Sequence, residues 1–467
     1  MMDGFIGRED ELRVLDAAYE GPHSAFIPIY GRRRVGKSEL ILRFLQGRQG
    51  VYFLGKKAPA ALQIREFLGE AAVTLDQPLL AGYATESWSE ALDLVVARRR
   101  PGQKLILALD EFQWTVDASP ELPSILQEKW DRSWRDAGKG VDGGSVVLIL
   151  CGSYIGFMER EVLGRRSPLF GRRTAQILLR PFGYREAALF HPRYSRTDQA
   201  RTYFLCGGVP LYLKAFSPDR SVEANIGAEL LDEYAALHRE GDFLLREELR
   251  EVESYYAVLL AIASGATSNQ AIAKASGQDV RSLHYYLQQL IELGYVERRH
   301  PLTGEPPSPR QVRYFVADPL MRFWFRFVFP NTSYSRHMGP EAALRDRIRP
   351  HLDAYFGACF ESLCREALPG LYRREGITAA FEIGDYWSKT AQIGLVGLRD
   401  DGWTDLGECK WGTVRSRPAV EQELEAKIRE YPNSRNATIG RRIFTRGKPP
   451  ASQQMGARWH SLDDLYS

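Results

Sequence analysis

Two glycines bracket four residues and are followed by Lys-Ser and an apolar run in "YGRRRVGKSELIL", residues 30–42. The spacing fits G-x-x-x-x-G-K-[ST], in which glycines let the backbone close around a phosphate so that several N–H groups point inward together. On this reading the loop from Gly31 through Arg34, Val35 and Gly36 to Lys37, Ser38 and Glu39 holds a nucleotide. Lys37 places its ammonium on the β- and γ-phosphates, Ser38 gives a hydroxyl to Mg²⁺, and the helix beginning near Lys37 turns its positive end to the pyrophosphate. A second acid is needed to hold the metal and orient water, and "KLILALDEFQW" supplies it at Asp110-Glu111. Asp110 is assigned to Mg²⁺ and Glu111 to the attacking water.

The elements that must position these groups are legible around them. "SAFIPIY" reads as a buried strand entering the glycine loop and "SELILRFL" as the helix leaving it. Leu105 to Leu109 form a continuous apolar run, typical of a parallel strand covered on both faces, with the acids at its C-terminal end. A further strand, "SVVLILCGS", ends at Ser153, which either reaches the γ-phosphate or water from between the two motifs or simply ends the strand. Arg165, Arg166, Arg172 and Arg173 cluster in "GRRSPLFGRR". Arg172 is the chosen candidate for supplying charge to the γ-phosphate of a neighbouring subunit in a homo-oligomer, with a solvated basic face as the alternative.

Composition narrows the classes. The 467 residues are 44% hydrophobic and 26% charged, ordinary for a globular protein of roughly three domains. No apolar run approaches the roughly 20 residues of a membrane span, and the N-terminus lacks a signal peptide's apolar core, so a cytoplasmic protein with no membrane partner is expected. Five cysteines without zinc spacing read as reduced thiols, and a net charge of +3 means that any basic surface is local.

"FIGREDEL", "GRRRVGKS", "LALDEFQW", "LFGR" and "CGGVPLYL" together resemble the archaeal-type ATPases, relatives of the AAA+ and STAND nucleotidases. The resemblance implies that Phe5, Ile6 and Gly7 lie near the adenine, that Arg8 begins the first helix, and that Gly207 to Pro210 belong to a helical lid.

Beyond residue 226 the pattern changes to short helices. "YYAVLLAIASGA" ends at Gly265, "TSNQAIAKASG" has Thr267 and Gln270 at capping-box spacing, and "DVRSLHYYLQQLIELG" has Asp279 as its N-cap. Val280, Leu283, Leu287, Leu290 and Ile291 share the inner face of the third, leaving Arg281, Ser282, Tyr285 and Gln288 outward. Two alternating strands, "YVERRH" and "RQVRYFVAD", complete a winged helix. Arg281, Gln288, Arg298, Arg299 and Arg313 are assigned to DNA contact, against the alternative of a lid or protein contact. "DPLMRFWFRFVFPN" reads as buried packing between domains.

From about residue 336 a helix carrying Glu361, the strand "AQIGLVGL" and the strand "TDLGECKWG" resemble the PD-(D/E)xK nuclease core. Glu408 and Lys410, two apart, share a strand face. Members of that group usually carry an Asp on the first strand, where this chain has Gly394, and Asp400 and Asp405 are expected in the turn, too far along to replace it. The expectation is a degenerate site with weak or no cleavage.

The expected architecture is therefore α/β: a P-loop parallel sheet with helices on both faces and a helical lid (1–225), a winged helix with an aromatic linker (226–335), and a restriction-endonuclease-like domain (336–467). The expected function couples ATP and Mg²⁺ to DNA binding. The rivals are a STAND-type switch controlling self-association and protein contacts, and an active metal-dependent nuclease.

Overall fold

The computed structural model describes residues 5–100, 102–135, 145–249, 251–449 and 456–467. The chain forms two compact units that divide at Pro181/Phe182.

The first unit is built on five parallel strands: β1 (Ala25–Tyr30), β2 (Gly50–Leu54), β3 (Leu105–Asp110), β4 (Val146–Gly152) and β5 (Ile177–Leu178). Their spatial order is β2-β3-β4-β1-β5. Every residue of β1, β3 and β4 is buried. Alternation along each strand explains why the runs are apolar throughout: Phe26, Leu105, Leu107, Leu148 and Leu150 pack on one face, and Ile27, Ile29, Ile106, Ala108 and Ile149 on the other. The helices Glu9–Glu20 and Lys37–Leu45 contribute Leu15, Leu40, Ile41 and Phe44 to the second face. The helices Ala60–Thr74, Trp88–Val96 and Leu122–Lys129 cover the first. β4 lies between β1 and β3, hydrogen-bonded in parallel to both, so the glycine loop after β1 and the acids after β3 emerge from the same sheet edge.

The second unit begins earlier than the expected boundary at 225. The helices Arg196–Cys206 and Pro210–Ala215 share one apolar core with the long helix Arg349–Arg374: Phe204, Leu205, Tyr212, Phe356 and Phe360 belong to a single cluster. The segment read as a lid thus packs with helices far C-terminal to it.

Three helices, Val252–Ala263, Asn269–Ser276 and Val280–Glu292, precede an antiparallel hairpin of β6 (Val296–Arg299) and β7 (Arg313–Val316). Asp279 caps the third helix, its carboxylate accepting from the Arg281 and Ser282 N–H groups. The second is capped by Ser268, not Thr267, with Ser268 accepting from Ala271 N–H. Leu283, Leu287 and Leu290 are buried as expected, whereas Val280 is 58% exposed because it stands in the first turn, beyond the reach of the packed face. The aromatic segment is interior: Phe323, Trp324, Phe325 and Phe327 are all buried.

The last sheet is mixed, in the order β12-β11-β10-β9-β8. It comprises β8 (Phe381–Trp387), β9 (Gln392–Arg399), β10 (Trp403–Lys410), β11 (Thr438–Thr445) and β12 (Arg458–Ser461). The β8–β9 and β9–β10 pairs are antiparallel, and the β10–β11 and β11–β12 pairs are parallel. The helix Arg349–Arg374 packs on β9 and β10.

Candidate functional site

In the glycine loop, Gly36 has φ 91°, a left-handed conformation that favours glycine, and it leads directly into the helix at Lys37. At Gly31 the constraint is space, since a Cβ would lie 2.2 Å from the Leu179 carbonyl oxygen. Arg8, buried and itself left-handed at φ 69°, donates to the carbonyls of Val35 (3.0 Å) and Arg180 (2.8 Å), tying the N-terminal segment to the loop. Val35 is fully buried and serves the core. Arg34 adopts φ 68° within the loop, and Glu39 lies in the first turn of the helix. Phe5 packs against the second-face core, with the Arg43 guanidinium 6.0 Å from its ring, and Ile6 and Gly7 are half-buried beside it.

The chemistry-bearing groups converge. Ser38 Oγ donates to Asp110 Oδ2 at 2.6 Å, so the two oxygens expected to share a metal already adjoin. Lys37 is buried, and its ammonium donates to the Gly31 (2.9 Å) and Arg32 (3.0 Å) carbonyls. Burial lowers its pKa, offset in part by Cys151, Glu111 and Asp110. Glu111 has φ 48°, a backbone conformation sparsely populated by residues with a Cβ and one that clusters at functional sites. One of its carboxylate oxygens accepts from Ser153 Oγ at 2.8 Å and the other from Gln113 Nε2. Ser153 therefore reaches in from the strand between the two motifs, and its partner is the acid assigned to water.

Two groups around Asp110 had no recognisable signal in the sequence. Tyr52 donates its hydroxyl to Asp110 Oδ2 at 2.7 Å, and burial raises the Tyr52 pKa, keeping that proton in place. Cys151, fully buried, lies against the same carboxylate, and burial pushes its thiol well up. Only the strand order, which places β2 beside β3, brings Tyr52 to the site.

Arg172 is engaged inside its own unit. Its Nε and NH2 pair with the Asp131 carboxylate at 3.0 and 2.7 Å, and its NH1 donates to the Pro168 and Phe170 carbonyls. The guanidinium expected to reach a neighbouring subunit is thus anchored at home.

The residues read as a degenerate nuclease site come together, and their charges are paired with one another. Continuing the register in which Gly407 faces Leu395 by one step puts Gly394 opposite Glu408. Glu361 reaches the same place, since a Cβ on Gly394 would lie 2.8 Å from its Cδ. Glu408, however, pairs with Lys410 Nζ at 2.8 Å and Lys427 Nζ at 2.6 Å, and both lysines also reach Glu423. Burial alone would lower the Lys410 pKa, and the ion pairs with Glu408 and Glu423 raise it. The Glu361 pKa is raised by burial, with Arg365 opposing and Glu408 and Asp385 adding to the rise. Among the described residues no group of three acids, histidines or cysteines is arranged to hold a metal ion. A divalent cation at Glu408 would have to compete with the Lys410 and Lys427 ammonium groups already paired to it. Asp400 sits in the turn as expected, but Asp405 does not: it lies inside β10, buried, held by the Tyr372 hydroxyl at 2.6 Å and Arg442 at 3.0 Å, because the turn closes at Gly402 and the strand begins at Trp403.

Of the residues assigned to DNA, Arg281, Gln288 and Arg298 are exposed. Arg299 and Arg313 turn away from that surface. Arg299 pairs with Glu297 and, at 3.2 Å, with Asp385, while the Arg313 guanidinium lies 4.8 Å from the Trp387 ring centre. The strand alternation that puts Arg298 outward directs Arg299 and Arg313, directly opposed in the hairpin, to the other side.

A glycine loop after the first strand, an acidic pair after the third and a polar strand end between them define the P-loop nucleoside-triphosphatase fold. A Walker-type ATPase of Pyrococcus abyssi has the same fold, with a TM-score of 0.52 at 19% identity over 70% of this chain and 97% of that one. Residues 5–216 match the model of an ATPase domain predominantly from Archaea, and residues 324–422 match archaeal and bacterial proteins of unknown function. Residues 5–216 thus form an archaeal-type ATPase domain with a P-loop. Residues 253–304 match the B-block binding subunit of TFIIIC. An uncharacterized protein of Methanocaldococcus jannaschii is 28% identical over 88% of this chain and 89% of its own length. An uncharacterized ATP-binding protein of the same organism is 40% identical over 45 residues, 10% of this chain and 76% of that protein. Among the described residues no helix is long and apolar enough to cross a membrane.

Proposed function

We propose that the chain binds and hydrolyses ATP at the glycine loop and couples nucleotide state to duplex DNA contact through a winged helix, with a nuclease-like C-terminal domain that does not cut. The observation that carries the reading is the convergence of Ser38, Asp110, Glu111 and Ser153 beside Lys37. The loop N–H groups and Lys37 bind the phosphates, and Lys37 exchanges two carbonyl partners for phosphate oxygens. Ser38 and Asp110, hard oxygen donors in contact, are the residues that would hold Mg²⁺, which when bound neutralises charge on the phosphates. Glu111 accepts a hydrogen bond from the water that attacks the γ-phosphorus as the bond to the β–γ bridging oxygen breaks. Ser153 and Gln113 hold that carboxylate in reserve until nucleotide and water arrive. Arg172 acts across a subunit boundary only if its pair with Asp131 opens.

DNA contact is assigned to Arg281, Gln288 and Arg298, with Tyr285, 59% exposed, on the same helix face. The match of residues 253–304 to a subunit named for B-block binding supports this assignment. Glu111→Gln separates the steps: it is expected to bind ATP as wild type does and to hydrolyse it about a hundredfold more slowly. Equal turnover by both proteins in a phosphate-release assay overturns the assignment of Glu111. Salt-insensitive or absent duplex binding returns the winged helix to a protein contact.

A further inference from the structure

The wing arginines that turn away from the assigned DNA surface enter a cavity of about 540 Å³ within the second unit. Its lining includes Arg313 from β7, Arg322 and Arg326 from the aromatic segment, and the rings of Phe315, Tyr355 and Trp387. Arg299, Arg365 and Asp385 close one side, with the Asp385 carboxylate 3.2 Å from Arg299 and 3.6 Å from Arg365. Five guanidiniums therefore line the cavity with two carboxylates, Asp385 and Glu361, while Glu297 pairs with Arg299 from outside the lining, and burial favours the neutral form of Glu361. Among the described residues no carboxylate forms an ion pair with Arg313, Arg322 or Arg326. Arg322 donates to the Tyr355 hydroxyl at 3.4 Å, and Arg326 donates to the Ala263 carbonyl. Burial lowers the Arg313 pKa, with nearby Asp385 opposing. Guanidiniums that outnumber the carboxylates around them in a concave, partly apolar space are costly unless an anion completes them.

We infer that this cavity is a second ligand site, separate from the glycine loop, for a small phosphorylated molecule of nucleotide size. Guanidinium forks match phosphate oxygens bidentately, and aromatic walls accept a planar base. The volume falls within the roughly 300–1,000 Å³ of small-molecule sites. Gln392 and Ser362 in the lining offer polar groups to the edge of such a base. The phosphate chemistry is shared by a free nucleotide and by the 5′-end of a nucleic-acid strand, and the free nucleotide is the source assigned.

The test uses the full chain carrying Lys37→Ala, so that the glycine loop does not contribute. Calorimetric titration with AMP, pyrophosphate, adenosine and a 5′-phosphorylated trinucleotide is expected to show AMP binding and no adenosine binding. Arg313→Gln and Arg326→Gln, each checked by thermal melting, should weaken AMP by about tenfold. Asp385→Asn should act in the opposite direction and strengthen it severalfold, because it releases Arg365 to the anion and leaves Arg299 held by Glu297 alone. A structural role alone would weaken all three. Absence of AMP binding at millimolar concentration, affinities unmoved by the arginine variants, or binding of the trinucleotide but not AMP would overturn the proposal.

Discussion

Lysine and carboxylates come together at the glycine loop and beside β10, and the two places differ in who satisfies whom. At the glycine loop, Asp110 and Glu111 accept from neutral donors, the hydroxyls of Ser38, Tyr52 and Ser153 and the amide of Gln113, while Lys37 is held by carbonyls. Each of these partners can be exchanged for a metal, a water or a phosphate at modest cost. Near β10 the carboxylate of Glu408 is paired directly with two lysines, which also share Glu423. There the opposite charges have been spent on one another, and a divalent cation would have to displace two ammonium groups from a nearly buried acid. A residue set that looks catalytic in sequence is available for chemistry only where its charges remain uncommitted.

The largest expected effects test that contrast through its lysines. Lys37→Ala should weaken ATP binding by about a hundredfold or more, since it removes charge-assisted hydrogen bonds to the phosphates, and calorimetry measures it directly. Lys427→Ala should leave ATP affinity unchanged. Alone it should not produce Mg²⁺-dependent nicking of plasmid DNA, because Lys410 remains on Glu408 and Gly394 supplies no acid. Combined with Gly394→Asp it frees one oxygen of Glu408 and adds a carboxylate, so divalent-metal binding should become measurable. Glu361 must swing aside to admit the new side chain. Robust cleavage by the unmodified protein, abolished by Glu408→Ala, would erase the contrast between the two sites.

A smaller effect separates the exposed basic residues of the third helix and the hairpin from the two hairpin arginines that turn inward. Arg281→Glu with Arg298→Glu should weaken duplex binding and lower its salt slope by about two, one for each phosphate no longer neutralised. Arg299→Gln and Arg313→Gln should leave that slope within error, since their guanidiniums lie on Asp385 and Trp387. Mobility-shift titrations at several salt concentrations distinguish them. Equal weakening by both pairs would mean that the hairpin turns over when DNA binds.

Local signals recovered most of this arrangement, and non-local packing accounts for the rest. The glycine loop, the Asp110-Glu111 strand end and the three helices with a hairpin each lie within short stretches whose period and punctuation carry their own meaning. Tyr52 on Asp110, Asp131 on Arg172 and Lys427 on Glu408 are contacts across 58, 41 and 19 residues. Nothing in their own neighbourhoods marks them, and each changes what a motif residue is free to do. Asp385 is the sharpest case. It sits at an irregularity in the β8–β9 pairing between Gly384 and Tyr386, and no alternation rule places a residue at a bulge.

The smallest effect concerns Glu361, which carries the contrast between spent and available charge into stability. Its pKa is raised by burial, against Arg365 and with the repulsion of Glu408 and Asp385, while Lys427 lowers it. In the unfolded chain the group titrates near the usual value of about 4.3. Below that value both states are protonated and Glu361 costs nothing. As pH rises through the unfolded value toward the raised folded one, the unfolded chain releases its proton first, so folding loses stability across that window. Glu361→Gln keeps the shape and removes the titration. It should therefore melt with wild type at about pH 4 and a few degrees above it at about pH 8, compared by calorimetry at equal ionic strength. A variant that melts lower at the higher pH would mean that the Glu361 carboxylate is stabilised as an anion, which would place it among the exchangeable acids of the glycine loop rather than with the neutralised set beside β10.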